Sequence, residues 1–267
     1  MNKMVKRYLL FTYLTFWAFI GMTGFVLLKI SDQSWVKAFM VMLCSWTPTF
    51  VLLIMHHKLM PEKTRKKFFR GLFHERINWR LLLSATGIQL IVFFISITLV
   101  AYQRNIAIIS LINTSVSSWL MAFIVNLLQG ATGEEAGWRG YLQPILVEKY
   151  GLIKGCMVVG IIQGFWHTPL WFATGYTGGI LALYISCFLL SIVSFGVMTG
   201  VLYHLNKNAV IPVWLHFMFN LTISSIFIGN IMDLLPYVAI GYLIIAVVVS
   251  IWYTIRFKSQ TVRNREI

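Results

Sequence analysis

Two glutamates stand side by side in an otherwise apolar stretch, GATGEEAGWRGYL, as Glu134 and Glu135. The chain has 8 acidic residues, and the others fall in loops, tails or interfacial stretches. A carboxylate among apolar side chains is costly to bury, so such a residue faces an interior and marks either a structural pair or a functional path. Glu135 and Arg139 are four residues apart and meet on one helical face, which accounts for Glu135 as half of an ion pair. Glu134 projects about 100° away around the helix and is left without a local partner. Two histidines are placed in the same way, His167 in IIQGFWHTPLWF and His216 in IPVWLHFMFN. One histidine in an apolar helix is ordinarily a hydrogen-bonded packing residue. Two of them, together with an unpaired glutamate, favour chemistry. Asn220 follows His216 by four residues and shares its face, where its amide can donate. His56, His57, His74 and His204 lie beside basic segments or at the end of an apolar run and read as solvated.

These residue types suit activation of water beside a bound carbonyl. A carboxylate in an apolar pocket can act as general base, and a histidine can share the proton and pass it to a leaving amine. A His–Asn pair one turn apart can donate hydrogen bonds to a developing oxyanion. Alternatively, Glu134, His167 and His216 form the ligand set of a catalytic Zn2+ site with a fourth position for water. A haem anchor using His167 and His216 as axial ligands is a third reading, but it leaves the glutamates and Arg139 unexplained. HExxH, GxSxG and the Walker loop are all absent.

The elements that must position these residues follow from composition. Of 267 residues, 58% are hydrophobic and only 11% charged, and the mean hydropathy is +0.78. There is too little polar surface to coat a soluble fold of this length, so lipid is part of the solvent. Apolar runs able to span a bilayer lie near 8–28, 38–55, 81–101, 116–136, 155–173, 180–203, 209–228 and 237–255, the second broken at Pro48 and the fourth around Gly130 and Gly133. The expected fold is all-α: a polytopic membrane bundle of about eight transmembrane helices forming a single domain over residues 1–267. The first run follows Lys3, Lys6 and Arg7 like a signal peptide, but it lacks a clear cleavage site and reads as a retained helix.

A net charge of +14 would suit nucleic acid, but the basic residues sit between the apolar runs, where they meet lipid headgroups. No nucleic-acid partner is expected. With the N-terminus inside, nineteen Lys and Arg fall in inside segments, and only Lys29, Lys37 and Arg104 fall outside. That bias predicts both termini in the cytoplasm. The basic segment 61–80, with its interleaved aromatics, is expected to lie on the headgroup surface. Cys44, Cys156 and Cys187 all fall inside apolar runs without CxxC spacing and read as small packing residues.

Glu134-Glu135-Ala-Gly-Trp-Arg139 resembles the EExxxR motif of the CAAX protease and bacteriocin-processing family of intramembrane proteases. The segment around Trp166-His167-Thr-Pro-Leu is similar to that family's second motif, and His216-Phe-Met-Phe-Asn220 to its third, HxxxN/D. All three occur in the family's order, within a core of about 116–228. The resemblance implies an intramembrane endopeptidase in which Glu134 and His167 activate water, His216 and Asn220 stabilise the oxyanion, and Glu135 and Arg139 orient the helix. It implies a peptide or lipid-anchored protein substrate, and the chain's size, with no eukaryotic targeting signal read in it, suits a multi-pass place in a bacterial plasma membrane. The family's eukaryotic members remove the last three residues of prenylated proteins. Its bacterial members are linked to bacteriocin maturation or immunity, so a catalytically inactive immunity or scaffold protein of the same fold is the alternative. One departure stands out: where the second motif usually has Phe four residues before its histidine, this chain has Gln163. That position is expected to be one of packing. The three motifs are further expected to meet at one depth, in a cavity open to the cytoplasm.

Overall fold

The computed structural model describes residues 3–29 and 34–263. The extreme termini, and with them Arg265 of the basic count, lie outside the described residues. Apart from an isolated bridge between Ile112 and Phe227, the described residues carry no strand. The all-α expectation holds.

Among the described residues, five helices are long and apolar enough to cross a membrane: α1 (Lys3–Lys29), α5 (Trp79–Arg104), the broken element Val116–Tyr150, α11 (Gly178–Asn206) and the stretch Ile231–Phe257 of the last helix. A sixth candidate is the pair α2 (Ser34–Ser45) and α3 (Thr47–Leu59), which bend by 43° at their junction. Pro48 causes the bend. It lies in the first turn of α3, where its missing N–H costs nothing, and it prevents α2 from running straight on. Two shorter apolar helices complete the bundle: α9 (Leu152–Trp166), and α12 (Val210–Leu221) with the π-helical turn after it. Side chains such as Ile54, Leu83 and Ile91 point outward uncovered, as lipid-facing positions do. The molecule is a multi-pass membrane protein.

The basic linker forms α4 (Arg65–Leu72), capped by Thr64, whose hydroxyl accepts from Lys67 N–H. This linker anchors the turn between α11 and α12. Asn208 Nδ2 donates to Glu75 O, Asn206 Nδ2 to Arg76 O (2.8 Å), and Ala209 N–H to Leu72 O (2.7 Å). The start of α12, and therefore the depth of His216, is fixed against the basic end of the bundle.

Helices α9 and α11 touch through their backbones. A Cβ on Gly160 would lie 2.8 Å from Val193 Cα, so any larger residue would push the pair apart, as in other small-residue helix contacts. Between Trp166 and α10 (Thr168–Ala173) the chain bends at His167, with Pro169 opening the next turn. The fifth apolar run is therefore a helix, a joint and a short helix, and the joint is one of the chemically notable residues.

The fourth run departs from expectation. Read from hydropathy it ends at 136, which would leave Glu134 at a span end. In the structure the helical element continues to Tyr150 through π-helical turns at Leu127–Ala131 and Ala136–Leu142. Glu134 is therefore internal to its element.

Candidate active site

The break at Gly130 builds the site. Gln129 and Gly130 leave helical geometry, with Gly130 at φ +56 and ψ −79. The carbonyls freed by the break are caught rather than left bare: Trp46 Nε1 donates to Leu128 O (2.8 Å) and Thr132 Oγ1 to Leu127 O (2.9 Å). In lipid such capture is obligatory. Gly130 is required twice over, because its φ is left-handed and because its missing Cβ makes room for the site. The place where that Cβ would sit is 2.9 Å from Asn220 Nδ2, 3.3 Å from Glu134 Oε1 and 3.4 Å from His216 Nε2. Polar atoms from the first and third motifs thus converge on one point.

Behind that point lies a continuous buried network. Arg139, only 1% exposed, holds Glu135 through Nε (3.2 Å) and Nη1 (3.3 Å). The i, i+4 pair read from sequence is present. Glu135 Oε1 also accepts from His216 Nδ1–H at 2.7 Å. Glu134 is not unpartnered, contrary to expectation. Its Oε2 accepts from Trp138 Nε1 (3.1 Å), itself an i, i+4 neighbour, and from Gln163 Nε2 (2.8 Å). Gln163 is not a packing residue either, since its Oε1 accepts from Arg139 Nη1 at 2.7 Å. Thr199 Oγ1 accepts from Arg139 Nη2 at 3.3 Å. Trp138 was readable from its spacing. Gln163 was visible as the one amide in an apolar run, but Thr199, three helices away in sequence, gave no signal.

His167 joins this group from the joint after α9. Its Nδ1 lies 2.8 Å from Gln163 O. A carbonyl only accepts, so Nδ1 carries the hydrogen and Nε2 keeps its lone pair. The same argument applies to His216, whose Nδ1–H is given to Glu135. Its Nε2 accepts in the neutral ring and donates only as imidazolium.

His167, His216, Asn220 and Gln163 form the polar wall of a cavity of roughly 420 Å³, whose remaining lining is largely aromatic and aliphatic, including Phe188 and Phe219. Glu134 is 3% exposed and is not on that wall. Among the described residues no three His, Cys, Asp or Glu side chains form a group that could hold a metal ion. Glu134, His167 and His216 as placed do not fit the zinc set read from sequence.

The lining residues give the cavity a place along the bundle. α9, α11 and α12 supply Gln163, Tyr184, Phe188, His216 and Asn220 from their parts remote from Lys154 and Lys207, and Gly229 and Ile231 close the far side. The cavity therefore extends toward the end opposite the basic loops.

Comparison with known proteins agrees with the motifs. Residues 115–222 match the family described as Type II CAAX prenyl endopeptidase Rce1-like. The chain is 34% identical over 112 residues to CAAX prenyl protease 2 of Methanococcus maripaludis, an overlap covering 40% of this chain and 41% of that protein. The chain spans about two fifths of the length of this curated relative. Both comparisons find the motif-bearing segment similar to CAAX proteases.

Proposed function

We propose that this chain is an intramembrane endopeptidase that hydrolyses a peptide bond of a membrane-associated peptide or protein by glutamate-activated water. The observation that carries the reading is the meeting of Glu134 Oε1, His216 Nε2 and Asn220 Nδ2 around Gly130, beside a cavity that also presents His167.

Glu134 is held through Oε2 by two donors, which leaves Oε1 to take a proton from water. His167 Nε2, with its lone pair free, shares the hold on that water. The water oxygen bonds to the substrate carbonyl carbon and its proton passes to Glu134. The carbonyl oxygen becomes an oxyanion within reach of Asn220 Nδ2 and His216 Nε2. The C–N bond then breaks, and the amine leaves with the proton that Glu134 returns, directly or by way of His167 Nε2. For His216 to donate through Nε2 it must be imidazolium. Glu135 beneath it supports that state, since two carboxylates against one guanidinium leave the buried cluster one positive charge short of neutral. No step is assigned to a metal.

The five long helices, the bent pair and the two shorter apolar helices would together supply eight crossings, and the charge bias supports cytoplasmic termini. The substrate class proposed from the relative's name is a prenylated protein end. An internally quenched farnesylated peptide with a Cys-aliphatic-aliphatic-X terminus tests it, alongside its unprenylated twin. Wild-type protein in detergent should cleave the farnesylated probe, and Glu134→Gln should lose about 10²–10⁴-fold while keeping its yield and fold. A Glu134→Gln variant retaining more than about a tenth of the rate would show that Glu134 is not the base and would favour the non-catalytic scaffold reading.

A further inference from the structure

We propose that Gln163 is a positioning residue that fixes the catalytic carboxylate, an arrangement particular to chains with an amide at this place. The proposal rests on Glu134 acting as the base. Gln163 is 1% exposed on α9 and reaches three of the site groups at once. Its side-chain Nε2 donates to Glu134 Oε2 (2.8 Å), its Oε1 accepts from Arg139 Nη1 (2.7 Å), and its backbone O accepts from His167 Nδ1–H (2.8 Å). The amide cannot flip without setting an NH2 against a guanidinium and a carbonyl against a carboxylate, so its orientation is set by its neighbours. It thereby closes a chain from Glu134 through Gln163, Arg139 and Glu135 to His216.

The consequence is geometric. A carboxylate held at one oxygen by two donors, Trp138 Nε1 and Gln163 Nε2, cannot rotate freely, and its other oxygen is aimed at the point shared with His216 and Asn220. The Phe that the resembled motif carries here would make neither side-chain bond. It would leave Arg139 Nη1 with Glu135 alone and Glu134 Oε2 with Trp138 alone. The backbone bond to His167 would survive any substitution, so side-chain variants isolate the hold on Glu134.

Gln163→Met preserves length and approximate volume and removes both side-chain bonds. It should lower kcat on the farnesylated probe about 10- to 100-fold, as loss of a hydrogen bond to a charged group does, with KM changed less than about twofold. Trp138→Phe should act in the same direction, and the double variant, which frees Oε2 entirely, should fall below either single variant. A residue that merely packs would not divide kcat from KM in this way. A second measurement does not need turnover. Melting temperatures of Glu134→Met, which removes the acceptor, of Gln163→Met and of their combination should be non-additive, since the two side chains are bonded. Wild-type kcat in Gln163→Met, or additive melting shifts, would overturn the proposal. If Glu134→Gln stays active, the base assignment fails instead. If wild type ignores the probe, the substrate reading fails and the melting cycle alone decides on Gln163.

Discussion

Replacing Arg139 by Ala tests whether the adjacent glutamates divide their labour as the geometry implies. Arg139 is 1% exposed and donates to Glu135, Gln163 and Thr199. Removing one partner of a buried ion pair typically costs about 3–5 kcal/mol, because the other charge stays behind unpaired. Here two effects oppose each other. His216 Nδ1–H still holds Glu135 Oε1 at 2.7 Å, which lowers the cost. Gln163 Oε1 loses its donor, which adds about 1–3 kcal/mol for an unsatisfied buried acceptor. The total stays near about 4 kcal/mol, and at about 2–4 °C per kcal/mol the melting temperature should fall by roughly 8–16 °C. Glu134→Gln should melt within a few degrees of wild type, because a Gln there still accepts from Trp138 and Gln163. The assay is thermal unfolding of purified protein in detergent, followed by intrinsic tryptophan fluorescence. A compensating variant sharpens it. Glu135→Gln combined with Arg139→Met removes both charges while keeping an acceptor for His216, and should recover at least half the loss. If Arg139→Ala melts like wild type or like Glu134→Gln, or if the double variant recovers nothing, the roles are assigned wrongly.

Gly130→Ala should remove activity at least about tenfold, since the new Cβ sits 2.9 Å from Asn220 Nδ2 at a left-handed φ; initial rates on the farnesylated probe check this. Peptidase activity should survive EDTA and 1,10-phenanthroline at concentrations that strip zinc proteases, and loss restored by added Zn2+ would reinstate the Glu134–His167–His216 ligand set. In a background without Cys44, Cys156 and Cys187, a membrane-impermeant thiol reagent should label Ile228→Cys and Lys207→Cys from opposite faces of the membrane. Labelling of both from one face would refute the placement of the cavity away from the basic loops.

Much of the site was legible because its residues violate their surroundings. Glu134, Glu135, His167 and His216 stand out in apolar runs, and the spacings from Glu135 to Arg139 and from His216 to Asn220 fix shared helical faces. Pro48 and Gly130 were visible as breaks, and both break their helices. The end of the fourth run was misplaced for a physical reason. Hydropathy drops over GEEAGWRG, but the helical element continues because Glu134, Glu135 and Arg139 find partners on α9, α11 and α12. A one-dimensional reading weighs each polar side chain as if it faced lipid or water alone. Gln163 was misjudged for the same reason, since an amide between a carboxylate and a guanidinium has no signature in its own helix. The position of the cavity was not legible at all, because it depends on which ends of several helices lean apart.

The paired glutamates need opposite environments, and one helical turn supplies both. Neighbours in a helix point about 100° apart, so Glu134 and Glu135 meet different sets of donors. Glu135 meets two cationic or cation-forming groups, Arg139 and His216, which both bond its Oε1. Among the described residues the groups hydrogen-bonded to Glu134 Oε2 are neutral donors, the Trp138 indole and the Gln163 amide. Neutral donors orient a carboxylate without cancelling its charge, which leaves it competent to accept a proton from water. Exchanging the two residues' partners would give a neutralised base and a loose structural anchor. The adjacency that looks redundant in sequence therefore separates two functions, provided the chain turns sharply just before them, and the break at Gly130 provides that turn.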